Sequence, residues 1–144
     1  VRGTGAAIRL ITDGDVAGVM HCAEPEITGI DMYMGQGGAP EGVLAAAALR
    51  CTGGQMQGRL LFKSQDQIDR AATMGVSDPN KVYDLTELAS GDVMFAATGV
   101  TDGDMLQGVR FKGNAISTHT FVMRSSTGTV REIKATHREG QKFA

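Results

Sequence analysis

The sequence is poor in the features that mark several classes of protein. It has no tryptophan, only two cysteines and a formal net charge of −2 over 144 residues. Because so small a net charge creates no basic field, neither nucleic acid nor an anionic membrane is expected as a partner. No stretch of 18 apolar residues is present, so the sequence predicts no membrane-spanning helix.

The two cysteines also restrict the chemistry and the compartment. Cys22 and Cys51 form no CxxC pair, and none of the three histidines lies at metal-ligand spacing from them. Two isolated thiols are too few for a disulfide framework. We therefore expect two buried thiols in a reducing compartment, and the cytoplasm is the predicted location.

What the sequence does contain is typical of a folded domain. Hydrophobic residues make up 42% and charged residues 21% of the chain, close to the average for globular proteins. The length suits one domain with a real core. The 20 glycines indicate many tight turns or close backbone approaches. The chain begins at Val1 rather than at a methionine, so we expect an upstream part of the protein to precede it.

The order of apolar runs and glycines predicts an α/β fold. The first half alternates apolar runs with alanine-rich or amphipathic segments, and the second half consists mostly of strand patterns between glycine-rich turns. We expect a layered α/β domain with a mixed β-sheet flanked by helices and a strand-rich second half. The predicted strands are 6–11, 28–34, 57–63, 92–98, 105–112, 116–123 and 130–136. The predicted helices are 16–23, 39–51, 64–74 and 84–89, and residues 137–144 are expected to fray.

The sequence Thr-Asp-Gly-Asp occurs twice, and the first copy is the stronger candidate for a site. It follows a predicted strand and precedes a predicted helix, which is where ligands bind in open α/β sheets. Asp13 and Asp15 could accept hydrogen bonds from sugar hydroxyls or hold a divalent cation. An ordinary turn with Asp15 as the N-cap of the helix explains the same residues equally well.

A second candidate is the segment 34–42, Met-Gly-Gln-Gly-Gly-Ala-Pro-Glu-Gly, which also joins a predicted strand to a helix. Glycines let the backbone approach a ligand closely, and the N–H groups at a helix start attract phosphate. Glu41 beside these groups suits a metal ion lying between the carboxylate and a phosphate. The segment has neither the P-loop pattern nor the GxGxxG spacing of a dinucleotide fold. The alternative is a glycine-rich turn in which Glu41 stabilises the helix dipole.

The second Thr-Asp-Gly-Asp copy, residues 101–104, lies between two predicted strands. A hairpin turn alone explains aspartate and glycine there, and we favour that interpretation. The two copies should therefore differ. We expect ligand-facing carboxylates in the first copy, whereas Asp102 and Asp104 should mainly shape a turn.

Four stretches together resemble one enzyme family. They are Ile-Arg-Leu-Ile-Thr-Asp-Gly-Asp-Val at 8–16, Met-Gly-Gln-Gly-Gly-Ala-Pro-Glu-Gly-Val at 34–43, Ala-Ala-Thr-Gly-Val-Thr-Asp-Gly-Asp at 96–104 and Val-Met-Arg-Ser at 122–125. In this order they closely resemble the carboxy-terminal part of class II fructose-1,6-bisphosphatases, which belong to the lithium-sensitive, metal-dependent phosphatase superfamily. The resemblance implies removal of the 1-phosphate of fructose 1,6-bisphosphate with Mg²⁺ or Mn²⁺ in gluconeogenesis. Some relatives also accept sedoheptulose 1,7-bisphosphate.

The resemblance also implies roles for individual residues. Asp13, Gly14 and Asp15 would contact the sugar phosphate, Gly38 would contact the substrate, and Glu41 would be a metal ligand. The family's amino-terminal half, with most metal-binding carboxylates, has no counterpart in residues 1–144. The chain is thus expected to be the carboxy-terminal sugar-phosphate-binding domain of a larger, homo-oligomeric phosphatase and to be inactive alone. A non-catalytic sugar-phosphate-binding module is the alternative.

Overall fold

The computed structural model describes residues 1–12 and 14–138. Helices and strands are interspersed in the first part and strands predominate in the second, which confirms the predicted α/β class and the strand-rich second half. The α-helices are α1 (Asp15–His21), α2 (Pro25–Thr28), α3 (Ala39–Thr52), α4 (Gln65–Thr73) and α5 (Leu85–Leu88). The strands are β1 (Gln57–Arg59), β2 (Val82–Asp84), β3 (Met94–Thr98), β4 (Arg110–Lys112), β5 (Ala115–Arg124) and β6 (Thr129–Arg138). Short 3₁₀ helices cover Arg2–Thr4 and Ser125–Thr127.

The central helix is α3, and its sequence sets both of its ends. Gly38 is the N-cap residue, and Pro40 lies in the first turn, where its missing N–H costs no hydrogen bond. Gly53 follows the last residue with a φ of 86°, a left-handed conformation that favours glycine. The observed end at Thr52 is one residue beyond the prediction. No helix in the described part of the chain is long and apolar enough to cross a membrane.

The core lies between α3, the sheet that contains β5, and α1. Buried side chains of α3 and the sheet form one cluster: Ala48, Cys51, Phe95 and Met123. Buried side chains of α3 and α1 form another: Val19, Ala45 and Leu49. Alanines on the buried face of α3 let the helix approach its neighbours closely. The same helix therefore holds both the sheet and α1, which follows the first Thr-Asp-Gly-Asp copy.

The larger sheet is built around β5. The strand β6 pairs antiparallel with all ten residues of β5. On the other edge of β5, β3 pairs with residues 120–124 and β4 pairs with residues 115–117, both antiparallel. The strands β3 and β4 therefore form one edge strand that residues 99–109 interrupt. The strands β1 and β2 form a separate antiparallel pair.

The structure differs from the sequence prediction in the type of sheet. Every strand pairing among residues 1–12 and 14–138 is antiparallel, whereas we expected a mixed sheet. The difference arises because segments 6–11 and 28–34, predicted as strands, contain no strand in the structure. Leu10 and Met32 within them are 82% and 73% exposed. Apolar composition identifies a segment that suits a strand, but a strand also needs a hydrogen-bonded neighbour.

Several observed element boundaries also differ from the predicted ones. The first strand of the small sheet ends at Arg59, and β4 begins only at Arg110. The short helix predicted from Asp84 is α5, and Asp84 is its N-cap in a capping box with Glu87. The strand β6 continues to Arg138, so the start of the tail that we expected to fray is paired instead. Residues 139–144 lie outside the described part of the chain.

Candidate functional site

The first Thr-Asp-Gly-Asp copy leads directly into α1. Gly14 is the N-cap residue with a φ of 80°, and Asp15 is the first helical residue. The side chain of Asp15 therefore does not cap the helix, contrary to the simple-turn alternative. Its carboxylate turns instead toward Tyr33. Asp13, the other candidate carboxylate of this copy, lies outside the described residues.

A hydrogen bond joins Asp15 to Tyr33. The Tyr33 hydroxyl donates to Asp15 Oδ1 at 2.7 Å, and both residues are half-buried. This hydrogen bond raises the pKa of Tyr33 to about 12, with further contributions from burial and from the charge of Asp15. The phenol is therefore a neutral donor over the whole physiological pH range, and one oxygen of Asp15 is held by it.

Two consecutive glycines lie against two of the candidate carboxylates, Asp15 and Glu41. A methyl group on Gly37 would collide with Asp15 Oδ2, and a methyl group on Gly38 would collide with Glu41 Oε2. Glu41 is exposed in the first turn of α3. Asp15 Oδ2 and Glu41 Oε2 thus lie against neighbouring positions of the segment before α3. Of the residues singled out in the sequence, Asp15 contacts Gly37 of the glycine-rich segment, Glu41 contacts the next residue, Gly38, and Gly14 adjoins Asp15 in the chain.

The described residues supply one suitable metal ligand, Glu41, but not a complete metal site. The carboxylate of Glu41 is a hard oxygen ligand of the kind that Mg²⁺ and Mn²⁺ prefer. Within residues 1–12 and 14–138, no three His, Cys, Asp or Glu side chains come together as a metal-binding group. A divalent cation bound at Glu41 would therefore need ligands from outside the described residues.

The second Thr-Asp-Gly-Asp copy lies in the connection from β3 to β4. Asp102 Oδ1 accepts a hydrogen bond from the Gly108 N–H at 2.9 Å. Both oxygens of Asp102 also lie 2.7 Å from Arg110 Nη2. The Arg110 contact, followed by the Gly108 N–H, holds the pKa of Asp102 below its ordinary value. Asp102 thus ties the loop to the Gly108 backbone and to Arg110. The expected hairpin turn is wrong, because β3 and β4 do not pair with each other.

Asp104, in the same copy, has a much weaker contact. Its Oδ2 lies 3.4 Å from Arg9 Nη2, and both side chains are about 60% exposed. Arg9 belongs to the segment that leads to the first copy. The contact is long for a hydrogen bond between charged groups. It links the segment before the first copy to the second copy.

Sequence reasoning missed Tyr33 and Arg110. Tyr33 is one of two tyrosines in the chain and stands two residues before Gly35. An isolated aromatic residue beside a glycine-rich segment was the only signal that could have identified it. Arg110 lies eight residues beyond Asp102, and no local pattern links the two. Both contacts depend on how the chain packs.

The chain also matches known proteins over almost all of its length. Residues 1–137 match the family described as bacterial fructose-1,6-bisphosphatase, glpX-encoded. The chain is 44% identical to a D-fructose 1,6-bisphosphatase class 2/sedoheptulose 1,7-bisphosphatase of Synechococcus sp. (strain JA-3-3Ab), an alignment that covers 99% of this chain and 45% of the relative. It is 41% identical to the protein of the same description in Nostoc sp. (strain PCC 7120 / SAG 25.82 / UTEX 2576), over 98% of this chain and 44% of the relative.

Three facts follow from these matches. The chain spans about 45% of the length of the curated relatives that it matches. The segments around Asp15 and Glu41 and the second Thr-Asp-Gly-Asp copy all lie inside the matched residues. The chain belongs to the bacterial, glpX-encoded fructose-1,6-bisphosphatase family.

Proposed function

We propose that this chain is the sugar-phosphate-binding part of a class II fructose-1,6-bisphosphatase. The observation that carries the proposal is that Asp15 Oδ2 and Glu41 Oε2 lie against the consecutive residues Gly37 and Gly38, in a chain that belongs to this family. In the complete enzyme, water attacks the phosphorus of the 1-phosphate and the bond to the sugar oxygen breaks. The products are fructose 6-phosphate and inorganic phosphate, as gluconeogenesis requires.

Each candidate residue has a defined role in this proposal. Asp15 and Asp13 accept hydrogen bonds from the sugar phosphate, and the backbone at Gly14 and Gly38 allows it to approach closely. Glu41 is one carboxylate ligand of a Mg²⁺ or Mn²⁺ ion. When bound, that ion supplies positive charge against the phosphate oxygens. The described residues bind and orient the sugar phosphate, and the other metal ligands belong to the remainder of the protein.

Two segments with exposed apolar side chains support the proposal that this chain packs against a further part of the protein. Ile8 and Leu10 precede the first site loop, and Met32 and Met34 precede the second. These side chains are 42–82% exposed, and their segments have no strand partner among the residues that the structure describes. Exposed apolar side chains of this kind favour burial against another part of the protein. We propose that residues 1–144 are a carboxy-terminal domain that packs against an amino-terminal, metal-binding half.

The experiment compares the complete protein with residues 1–144. The complete protein should release phosphate from fructose 1,6-bisphosphate with Mg²⁺ or Mn²⁺, and residues 1–144 alone should release none. In the complete protein, Glu41→Gln should raise the metal concentration for half-maximal activity by at least about tenfold. Glu26→Gln is the matched control, because Glu26 also lies exposed in the first turn of a helix.

Two results would count against the proposal. Phosphate release by residues 1–144, abolished by Glu41→Gln, would place the whole catalytic site in this chain. A complete protein that binds fructose 6-phosphate without hydrolysing the bisphosphate would favour a non-catalytic binding module.

A second substrate has a specific observation in its favour. The relatives are described as acting on sedoheptulose 1,7-bisphosphate as well as fructose 1,6-bisphosphate. We propose that the complete protein accepts both, in the cytoplasm and as a homo-oligomer. Parallel measurements of kcat/KM for the two bisphosphates test the substrate, and light scattering coupled to gel filtration tests the oligomer.

A further inference from the structure

Tyr33 lies where two separate parts of the site meet. It belongs to the segment before α3, whereas its hydrogen-bond partner Asp15 is the first residue of α1. The two residues are 18 positions apart in the sequence. Their hydrogen bond therefore fixes the two loops of the proposed substrate site to each other.

Two glycines make room for the ring of Tyr33. A methyl group on Gly18, in α1, would come within 2.9 Å of Tyr33 Cε2 and within 3.0 Å of Ile11 Cδ1. A methyl group on Gly35 would collide with the Tyr33 hydroxyl. The half-buried ring thus lies against both glycines, and this packing restricts how far it can reorient. The hydroxyl is thus held in one direction, toward Asp15.

The contact also determines which oxygen of Asp15 remains for a ligand. Oδ1 accepts from the phenol, whereas Oδ2 lies against Gly37. A carboxylate oxygen can accept more than one hydrogen bond, but the fixed bond at Oδ1 sets the rotation of the whole group. Oδ2 is therefore held toward the glycine segment that leads to Gly38 and Glu41.

We propose that Tyr33 is a positioning residue for substrate binding, which orients Asp15 so that Oδ2 accepts a hydrogen bond from a sugar hydroxyl. This inference rests on the proposed function, because it assigns a geometry to the substrate role of Asp15. Binding a hydroxyl of the sugar affects substrate and transition state alike, since the reacting bond lies at the phosphate. Loss of the orientation should therefore weaken affinity and leave turnover nearly unchanged.

The test is Tyr33→Phe in the complete protein, because phenylalanine keeps the ring and removes only the hydroxyl. We expect the KM for fructose 1,6-bisphosphate and the Kd for fructose 6-phosphate to rise about tenfold, with kcat changed by less than about twofold. Tyr83→Phe is the matched control. Tyr83 lies in β2, and the Lys81 ammonium lies 4.8 Å from the centroid of its ring. Tyr83→Phe should leave both KM and Kd unchanged.

A double-mutant cycle shows whether Tyr33 acts through Asp15. Asp15→Asn alone should raise the same constants, and adding Tyr33→Phe to it should cause little further change. An unchanged Kd in Tyr33→Phe would overturn the inference. The inference would also be overturned if Tyr33→Phe weakened binding equally in the parent and in Asp15→Asn, because Tyr33 would then act independently of Asp15.

A spectroscopic measurement separates this inference from the proposed function. In protein labelled with ¹³C-tyrosine, the Cζ resonance that Tyr33→Phe removes should shift at neutral pH on Asp15→Asn, and the Tyr83 resonance should not. A complete protein without phosphatase activity would refute the proposed function, while the Kd for fructose 6-phosphate would still test Tyr33. An unchanged Tyr33 resonance in Asp15→Asn would refute the positioning contact itself.

Discussion

Asp102 and Asp104 occupy the two acidic positions of one Thr-Asp-Gly-Asp copy, but their surroundings differ. Asp102 accepts from the Gly108 N–H and from Arg110, whereas Asp104 has one exposed contact with Arg9 at 3.4 Å. A carboxylate that accepts a backbone N–H and a guanidinium holds chain segments together. A long, exposed ion pair contributes little, because solvent and salt screen it.

We therefore predict unequal effects of two matched substitutions in the complete protein. Asp102→Ala should lower the thermal midpoint measurably, because it leaves the Gly108 N–H and Arg110 without their acceptor. Asp104→Ala should melt like the parent. Circular dichroism melts check the stability, and KM for fructose 1,6-bisphosphate in both variants checks the site. If Asp102→Ala melts normally but loses substrate or metal saturation, the second copy is itself a site.

Residues 99–109 form a loop that interrupts one edge strand of the sheet. The Val109 N–H bonds to the Val100 carbonyl at 3.1 Å, so the two ends of the loop lie side by side. His119, buried in β5, holds the base of this loop: its carbonyl accepts the Gly99 N–H and its Nδ1 accepts the Gln107 N–H, both at 3.0 Å. The sheet thus continues beyond the loop, and the loop is anchored through its backbone N–H groups, which donate to a backbone carbonyl and to a side-chain nitrogen of His119.

Close backbone approach makes Gly99 and Gly108 of this loop hard to replace. A methyl group on Gly108 would come within 2.7–2.8 Å of backbone atoms of Thr101 and Asp102, whereas one on Gly103 would reach only the Leu106 carbonyl oxygen at 4.0 Å. We predict that Gly108→Ala lowers the free energy of unfolding by about 1–3 kcal/mol, as overpacking does. Gly103→Ala should change it by less than about 0.5 kcal/mol.

Urea unfolding of the two complete-protein variants tests this prediction. Since both substitutions add the same methyl group, the change in chain entropy is the same for both and cancels in the comparison. Equal stabilities of the two variants would mean that the loop relaxes around the extra methyl group. In that case the loop is held less tightly than its hydrogen bonds indicate.

Over the whole molecule, several exposed carboxylates have pKa values below their ordinary ones. The main causes are the Thr86 hydroxyl for Asp84, Lys81 for Glu87, Arg110 for Asp102 and Lys134 for Glu132. A lowered pKa means that the folded state favours the ionised form. Each group therefore stabilises the fold above its ordinary pKa of about 4, and the contribution is lost as the pH falls through the lower, folded-state value.

We predict that the thermal midpoint is nearly constant around neutral pH and falls as the pH decreases below about 4. The double variant Asp84→Asn/Asp102→Asn should show a shallower fall, because two of the responsible carboxylates no longer titrate. Asparagine at position 84 still offers an oxygen to cap α5. Calorimetry from pH 7 to pH 2 in the complete protein measures the profile. Asp66→Asn/Asp104→Asn is the control, and equal acid slopes for the two double variants would contradict the prediction.

The sequence by itself determined what depends on neighbouring residues. Pro40 and Gly53 set the limits of α3, and Glu41 was placed correctly in its first turn. Capping and turn formation act within a few residues, so a local pattern is sufficient to predict them. The strand-rich second half and the family could be predicted for the same reason, since strand patterns between glycine-rich turns and whole motifs are local features.

Only the tertiary structure decided what depends on distant partners. The apolar segments 6–11 and 28–34 suit strands, but pairing requires a neighbour that local sequence does not specify. The hydrogen bond from Tyr33 to Asp15 joins residues 18 positions apart, and the Tyr33 side chain packs against the cluster of Val19 and Leu49 that joins α1 to α3. The sequence therefore identified the candidate carboxylates of the site, whereas the packing of α1 against α3 determined how Asp15 is oriented.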